Sequence, residues 1–266
     1  MIDLKTPAQI ADMREGGKKL GGILQTLLSH SQPGVKLIDI ENEAQRLIKE
    51  AGGEPSFSTV EDYKWVTCLC INEQVVHGIP NEYILKDGDV FTIDIGMIYK
   101  GFHTDTADTK IIRDPTSSHS VGLRGAGNEQ DTEKERFLDV GRETLKKAIA
   151  LARPGNRVGH ISQCIEKEIK GAGYSVVRSL TGHGVGKTLH EEPMIPEYLD
   201  RPIEQTPLLT AGMTIAIEII YAMGKGSIVY ENQDGWTLAS KDRSLTAVFE
   251  HSVALQEDQT QVLTES

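Results

Sequence analysis

Two stretches of this chain repeat each other. PGVKLIDIENEAQRLIKEAGG at 33–53 aligns without gaps on PGNRVGHISQCIEKEIKGAGY at 154–174, and LKDGDVFTIDI at 85–95 aligns on LTAGMTIAIEI at 209–219. In each half, two helical patterns separated by Pro-Gly precede a strand opened by glycine, so the order of elements repeats along with the letters. This constrains the chain to one pseudo-symmetric α+β domain over residues 1–266, in which about 6–113 and 136–255 share a core, rather than two linked domains. The repeat also places Glu218 where Asp94 stands.

Local signals agree with that layout. Thr6-Pro7 starts a helix, and Ile10, Met13, Leu20, Ile23, Leu24 and Leu27 recur along it at helical spacing until Pro33-Gly34. A second helix buries Ile40, Ala44, Leu47 and Ile48 and ends at Gly52-Gly53, and Trp65–Asn72 reads as a strand. Residues 114–135 are polar, rich in glycine and serine and almost without core residues, and read as a long inserted loop. Helical spacing resumes at Phe137, and a further helix runs through Ile161, Ile165 and Ile169 to Gly173.

Composition excludes several classes. There is no run of about 18 apolar residues to span a membrane, and the N-terminus lacks a signal-peptide core. Three cysteines make neither a disulfide framework nor a zinc knuckle, which suits a reducing cytoplasm. A formal net charge of -11 argues against a broad nucleic-acid footprint.

The chemistry starts in Gly88–Ile112, which reads as a β-hairpin about Tyr99-Lys100-Gly101. With Tyr99-Lys100 as a two-residue loop, Asp94 faces Asp105 directly on one side of the sheet. Two facing carboxylates among apolar residues need protons, cationic partners or a metal. His183 lies between glycines in TGHGVG, where a backbone approaches a site closely, and Glu218 and Glu250 interrupt the apolar strands TIAIEII and AVFEHSVAL. Each alone has a plain structural reading as a paired acid or a hydrogen-bonded core histidine. Together they lack basic neighbours, and one shared ion pair accounts for all five. A ligand set rich in oxygen with one imidazole suits Mn, Fe(II), Co or Zn. Two such ions bridged by carboxylates activate a water and polarise an electrophilic oxygen. His77 and His190 remain as proton carriers or hydrogen-bond donors.

Asp94, Asp105, His183, Glu218 and Glu250, with INEQVVHGIP, GFHTDTAD, GHGVG, HEEP, DGWT and KDRSLTAVFEHSV around them, resemble the methionine aminopeptidases from about Thr6 to Leu263. The resemblance is to the bacterial, type 1 form, and it implies the pita-bread fold, an antiparallel curved sheet covered by helices. It implies that Asp94 binds one of two divalent ions, that Asp105 and Glu250 bridge both, and that His183 and Glu218 complete the second. Glu218 is further implicated in handling the proton of the attacking water. By the same resemblance His77 contacts the substrate at the scissile amide and His190 stabilises the oxyanion, both as catalytic and substrate-binding residues. Tyr63, Cys68 and Trp236 line the methionine pocket. The implied reaction removes initiator methionine from nascent chains with a small second residue, in a cytoplasmic monomer with the ribosome as an implied partner and no membrane or nucleic acid.

The sequence departs from the family pattern at Ile219, where proline usually follows the glutamate, and at Leu189 and Val60, where aromatic residues are common. Two rivals follow. X-Pro peptidases of the same fold usually carry an extra N-terminal domain, for which this length leaves no room. A non-catalytic binding member of the fold typically lacks part of the ligand set, which is complete here.

Overall fold

The computed structural model describes residues 2–114 and 129–266. Helix α1 (Pro7–His30) begins with a capping box: the Gln9 N–H donates to the Thr6 hydroxyl at 3.3 Å, and the Thr6 N–H donates to the Gln9 side chain at 2.8 Å. Helix α2 (Leu37–Glu50) follows the Pro33-Gly34 break, and α3 (Glu129–Leu151) and α4 (Val158–Gly171) take the matching places in the second half. No described helix is long and apolar enough to cross a membrane.

The strands in chain order are β1 (Glu54–Pro55), β2 (Thr67–Ile71), β3 (Gln74–Val76), β4 (Val90–Tyr99), β5 (Phe102–Ile111), β6 (Ser175–Val176), β7 (Thr181–Gly184), β8 (Glu191–Pro196), β9 (Thr214–Ala222), β10 (Ile228–Tyr230), β11 (Leu238–Ser240), β12 (Thr246–Leu255) and β13 (Thr260–Val262). Ten of them form one antiparallel sheet with the path β1-β4-β5-β12-β9-β7-β8, and β10, β11 and β3 form a second, three-stranded sheet. The long strands β4, β5, β12 and β9 are the middle of the large sheet, so β5 and β12 join the two halves.

Alternation along these strands decides which face carries what. Ile93, Ile95 and Met97 of β4 pack with the apolar faces of α1 and α2, and Ile217, Ile219, Tyr221 and Phe249 pack with α3 and α4. The residues between them, including Asp94, Glu218 and Glu250, therefore face away from the helices.

The same backbone hydrogen bonds recur in the two halves at the offsets seen in the sequence. Gly34 N–H donates to Leu85 O and Leu85 N–H to Val35 O, while Gly155 N–H donates to Leu209 O and Leu209 N–H to Asn156 O. The isolated bridges Lys36–Ile84 and Arg157–Leu208 match in the same way.

Two sequence expectations are corrected. The β4–β5 loop is Lys100-Gly101, with Tyr99 paired to Phe102, so Asp94 faces Ala107 and Asp105 faces Gly96. The tight turn takes positive φ at both loop residues, +49° and +80°. Glycine accepts this freely, whereas a Tyr99-Lys100 loop demands it of tyrosine. The two aspartates stay on one face as diagonal neighbours rather than opposed ones. The expected loop at 114–135 is cut short, because helix α3 already runs from Glu129. Its first turns are polar but made of good helix formers, with acids at the end where the helix dipole favours them. They are tied down by Arg113–Asp131 at 3.1 Å and by Lys134 donating to Gly88 O at 2.6 Å. Residues 115–128 of that expectation lie outside the described residues.

Candidate metal centre

Strand register alone aligns most of the candidate residues. Cys68 pairs with Asp94, Asp94 with Ala107, Ala107 with Glu250 and Glu250 with Glu218, a single row across β2, β4, β5, β12 and β9. Residues in such a row share a face. Asp105 joins that face two residues before Ala107, and His183 joins it by pairing with Ala216, two before Glu218. The ligating atoms of Asp105, His183 and Glu250 lie within 4.8 Å of one another. Glu218 Oε1 is 3.5 Å from His183 Nε2, and Asp94 is a diagonal neighbour of Asp105 on the same face.

The electrostatics of this group favour either bound protons or a bound cation. Burial pushes the Asp94 carboxyl up to about 7, against hydrogen bonds from Asp105 and Cys68 that pull it down. Burial and then neighbouring carboxylates push Asp105, Glu218 and Glu250 well above the usual carboxylate range. His183 is brought down to about 4 by burial and by His190 beside it, so its ring is neutral. No lysine or arginine among the described residues offsets these charges. Asp94 Oδ1 and Glu250 Oε1 are buried without any hydrogen-bond partner, an arrangement that costs free energy unless something positive completes it. Four carboxylates and a neutral imidazole fit hard-to-borderline divalent ions.

The surrounding backbone fixes the donors. His183 Nδ1 hydrogen-bonds Gly184 O at 2.8 Å, which sets the tautomer and leaves the Nε2 lone pair facing Glu218. A Cβ at Gly182 would sit 2.6 Å from Ala216 O and one at Gly184 2.4 Å from Glu192 O, so only glycine lets this strand close on its neighbours. Near Asp105 the β5–β12 ladder stops, and the Ser252 hydroxyl replaces it, accepting from Asp105 N at 2.9 Å and donating to Asp105 O at 2.8 Å. Thr106 N–H donates to Asp105 Oδ1 at 3.0 Å, and Thr106 Oγ1 donates to Glu250 O at 2.9 Å.

A cavity of about 320 Å³ opens over the group, lined by all five residues and by His77, His190, Tyr63, Cys68 and Trp236. One end is apolar, where Tyr63 meets Trp236 edge-on at 5.0 Å and Phe57, Val60 and Leu189 pack beside them. Tyr63 donates to Thr67 O at 2.8 Å and lies 3.2 Å from Cys68 Sγ, which holds ring and sulfur in place. His190 stacks edge-on against His183 at 4.5 Å, and His77, with φ +58°, stands 6.2 Å from Trp236. Burial lowers the pKa of both His77 and His190.

Sequence reasoning missed three supports. His103, buried two residues before Asp105 on the same face, bonds Ser56 Oγ at 2.7 Å. Its place in GFHTDTAD was the available signal. Ser252 lies within KDRSLTAVFEHSV, but nothing local in that segment links it to Asp105. Lys5, almost wholly buried, pairs with Glu191 beside His190, a contact that links residues far apart in the chain.

Comparison with known proteins agrees with this geometry. The profile of metallopeptidase family M24 matches residues 11–256. Methionine aminopeptidase 1 of Bacillus subtilis is 37% identical over 264 residues, 99% of each chain. A crystal structure of methionine aminopeptidase from Thermotoga maritima, 34% identical and covering 100% of both chains, superposes with a TM-score of 0.89. Prolidase from Pyrococcus furiosus shares the fold at a TM-score of 0.75, with 20% identity over 99% of this chain and 65% of that one. This is the pita-bread architecture. The chain belongs to metallopeptidase family M24, within its methionine aminopeptidase branch.

Proposed function

We propose that this chain releases the N-terminal methionine from peptides whose second residue is small, at a pair of divalent ions held by Asp94, Asp105, His183, Glu218 and Glu250. The observation that carries the reading is the convergence of those five side chains, two with orphaned oxygens, beside an aromatic and sulfur-lined cavity. On this reading Asp94 would hold one ion, His183 and Glu218 the other, and Asp105 and Glu250 would serve both. Bound there, the ions supply a water acidic enough to attack at neutral pH and positive charge for the developing oxyanion.

The remaining steps belong to side chains. The thioether packs between Tyr63, Trp236 and Cys68, where aromatic and sulfur contacts favour it. Glu218, on the cavity wall 3.5 Å from His183 Nε2, accepts the proton of the attacking water and passes it to the leaving amine. His190, at the rim beside His183, donates to the carbonyl oxygen as it gains charge. His77 approaches the scissile amide from the Trp236 side. The restriction to a small second residue is part of the proposal, and the peptide panel reads it. The substrates on this reading are nascent chains met at the ribosome in the cytoplasm, and the chain acts as a monomer. We also take 6–113 and 136–255 as duplicated halves of one catalytic domain, a reading supported by their recurring hydrogen bonds.

A peptide panel tests the reaction. Metal-free protein is given Mn, Fe(II), Co or Zn in turn and assayed on Met-X-Ser with X from glycine to leucine, and on X-Pro peptides. Release of methionine that falls steeply beyond valine supports the proposal. Hydrolysis of X-Pro peptides with none of Met-Ala-Ser sinks it.

A further inference from the structure

The cavity over the carboxylates adjoins a second depression of about 610 Å³, bordered by Lys170, Arg178, Ser179, Lys225 and Ser227. Ser179 lines both. The chain carries a formal charge of -11, yet three cations and no acid line this groove. Its cations are held in place. The Arg178 guanidinium sits 3.6 Å from the Tyr198 ring centroid and 3.4 Å from Glu166 Oε1, and Lys170 Nζ is 2.6 Å from the same oxygen. Lys225 is exposed and makes no ion pair among the described residues, while its backbone is pinned by an N–H donated to Asp242 at 2.7 Å. At Gly226 a Cβ would fall 2.0 Å from Val176 O, so the loop that carries Lys225 lies hard against β6.

We infer that this groove receives acidic side chains from the substrate, at roughly its fourth and fifth residues, and that the enzyme selects for them. The inference rests on the proposed methionine release, which fixes the direction of the bound peptide. With the methionine side chain among Tyr63, Cys68 and Trp236 and the scissile amide over the carboxylates, we route the downstream chain over Ile220, Leu180 and Ser179, the part of the remaining lining that leads to the basic groove through the shared Ser179. An extended peptide advances about 3.3 Å per residue, so the fourth and fifth residues lie past Ser179, at Arg178 and Lys225. Each exposed contact of this kind is worth a factor of about 1.5–5 and is weakened by salt. The protein's overall charge works the other way and favours basic peptides, so a preference for acids has to come from the groove.

The test compares kcat/KM on Met-Ala-Ser-Asp-Asp-Gly, Met-Ala-Ser-Asn-Asn-Gly and Met-Ala-Ser-Lys-Lys-Gly with the metal-loaded protein. The expected result is an Asp-to-Lys ratio of about 5 or more at low salt. That ratio falls toward unity in about 0.5 M salt and in the Arg178→Gln/Lys225→Gln variant. Equal kcat/KM on the three peptides overturns the inference, whether or not the groove then retains a polyanion such as RNA. A preference that survives the double substitution overturns it too. Failure to release methionine from any of the three is a different outcome, and it sinks the proposed reaction itself.

Discussion

Stripping divalent ions from this chain makes its stability fall as the pH rises above neutrality. Asp105, Glu218 and Glu250 are pushed well above the usual carboxylate range by burial and mutual repulsion, whereas in the unfolded chain they ionise near about pH 4. Above that point the folded state binds more protons than the unfolded one, and each such proton removes about 1.4 kcal/mol of stability per pH unit. Histidines act with the opposite sign. Burial brings His77, His103, His183, His190 and His251 down, so stability rises with pH through their window. That window fades above about pH 6.5, where unfolded imidazole is half neutral, and is nearly closed one unit higher. Between about pH 7 and pH 8 the carboxyls dominate, and each one still protonated costs about 1.4 kcal/mol. A single group lowers Tm by about 3–6 °C in a chain of this size. With ions bound, the carboxylates that hold them are kept ionised and their share of the loss disappears, leaving only that of buried acids outside the site such as Glu197. Scanning calorimetry of chelator-treated protein at the two pH values, with and without added Mn²⁺, reads this directly. A metal-free Tm that is equal or higher at the higher pH refutes the reasoning.

Three substitutions probe the scaffold around the site. In Gly96→Ala the new Cβ would fall 2.6 Å from Phe57 Cε1 and 2.8 Å from Ser56 Cβ. Urea unfolding should show a loss of about 1–3 kcal/mol, and KM should rise because Phe57 lines the cavity. Lys5→Met leaves the largely buried Glu191 without its partner. Denaturant unfolding should register a loss of about 3–5 kcal/mol, partly recovered when Glu191→Gln is added. Trp236→Ala removes the ring that meets Tyr63 at 5.0 Å. It should cut kcat/KM on Met-Ala-Ser by roughly 5- to 10-fold, mostly through KM.

The order of helices and strands was legible because hydrophobic spacing and Pro-Gly breaks are local signals. Helix α1, with its Thr6 cap and its buried stripe from Ile10 to Leu27, follows them closely. The acids in apolar strands were legible for a related reason, since a charge at a buried strand position is conspicuous without coordinates. The hairpin loop was misplaced by one residue, and the pairing therefore by two, because two positions beside Gly101 compete for the loop and only the positive φ required at both loop residues decides between them. The polar start of α3 was mistaken for loop because its first turns carry no apolar residue before Phe137 and so leave no hydrophobic period. What could not be read at all depends on contacts distant in the chain. Ser252 reaches Asp105 across 147 residues and Lys5 reaches Glu191 across 186, and neither has a local pattern.

The central claim is that the row of acids on β4, β5, β12 and β9, with His183, is a metal centre that performs the hydrolysis. The most direct test is the rate of methionine release from Met-Ala-Ser as Mn²⁺ is added to metal-free protein, for the natural sequence and for Asp105→Asn. Activity should appear with the metal in the natural sequence, and kcat should be lower by about 100-fold or more in the variant at saturating metal, a loss of about 2.7 kcal/mol. Near-normal turnover by Asp105→Asn, or full activity in the metal-free protein, would contradict it.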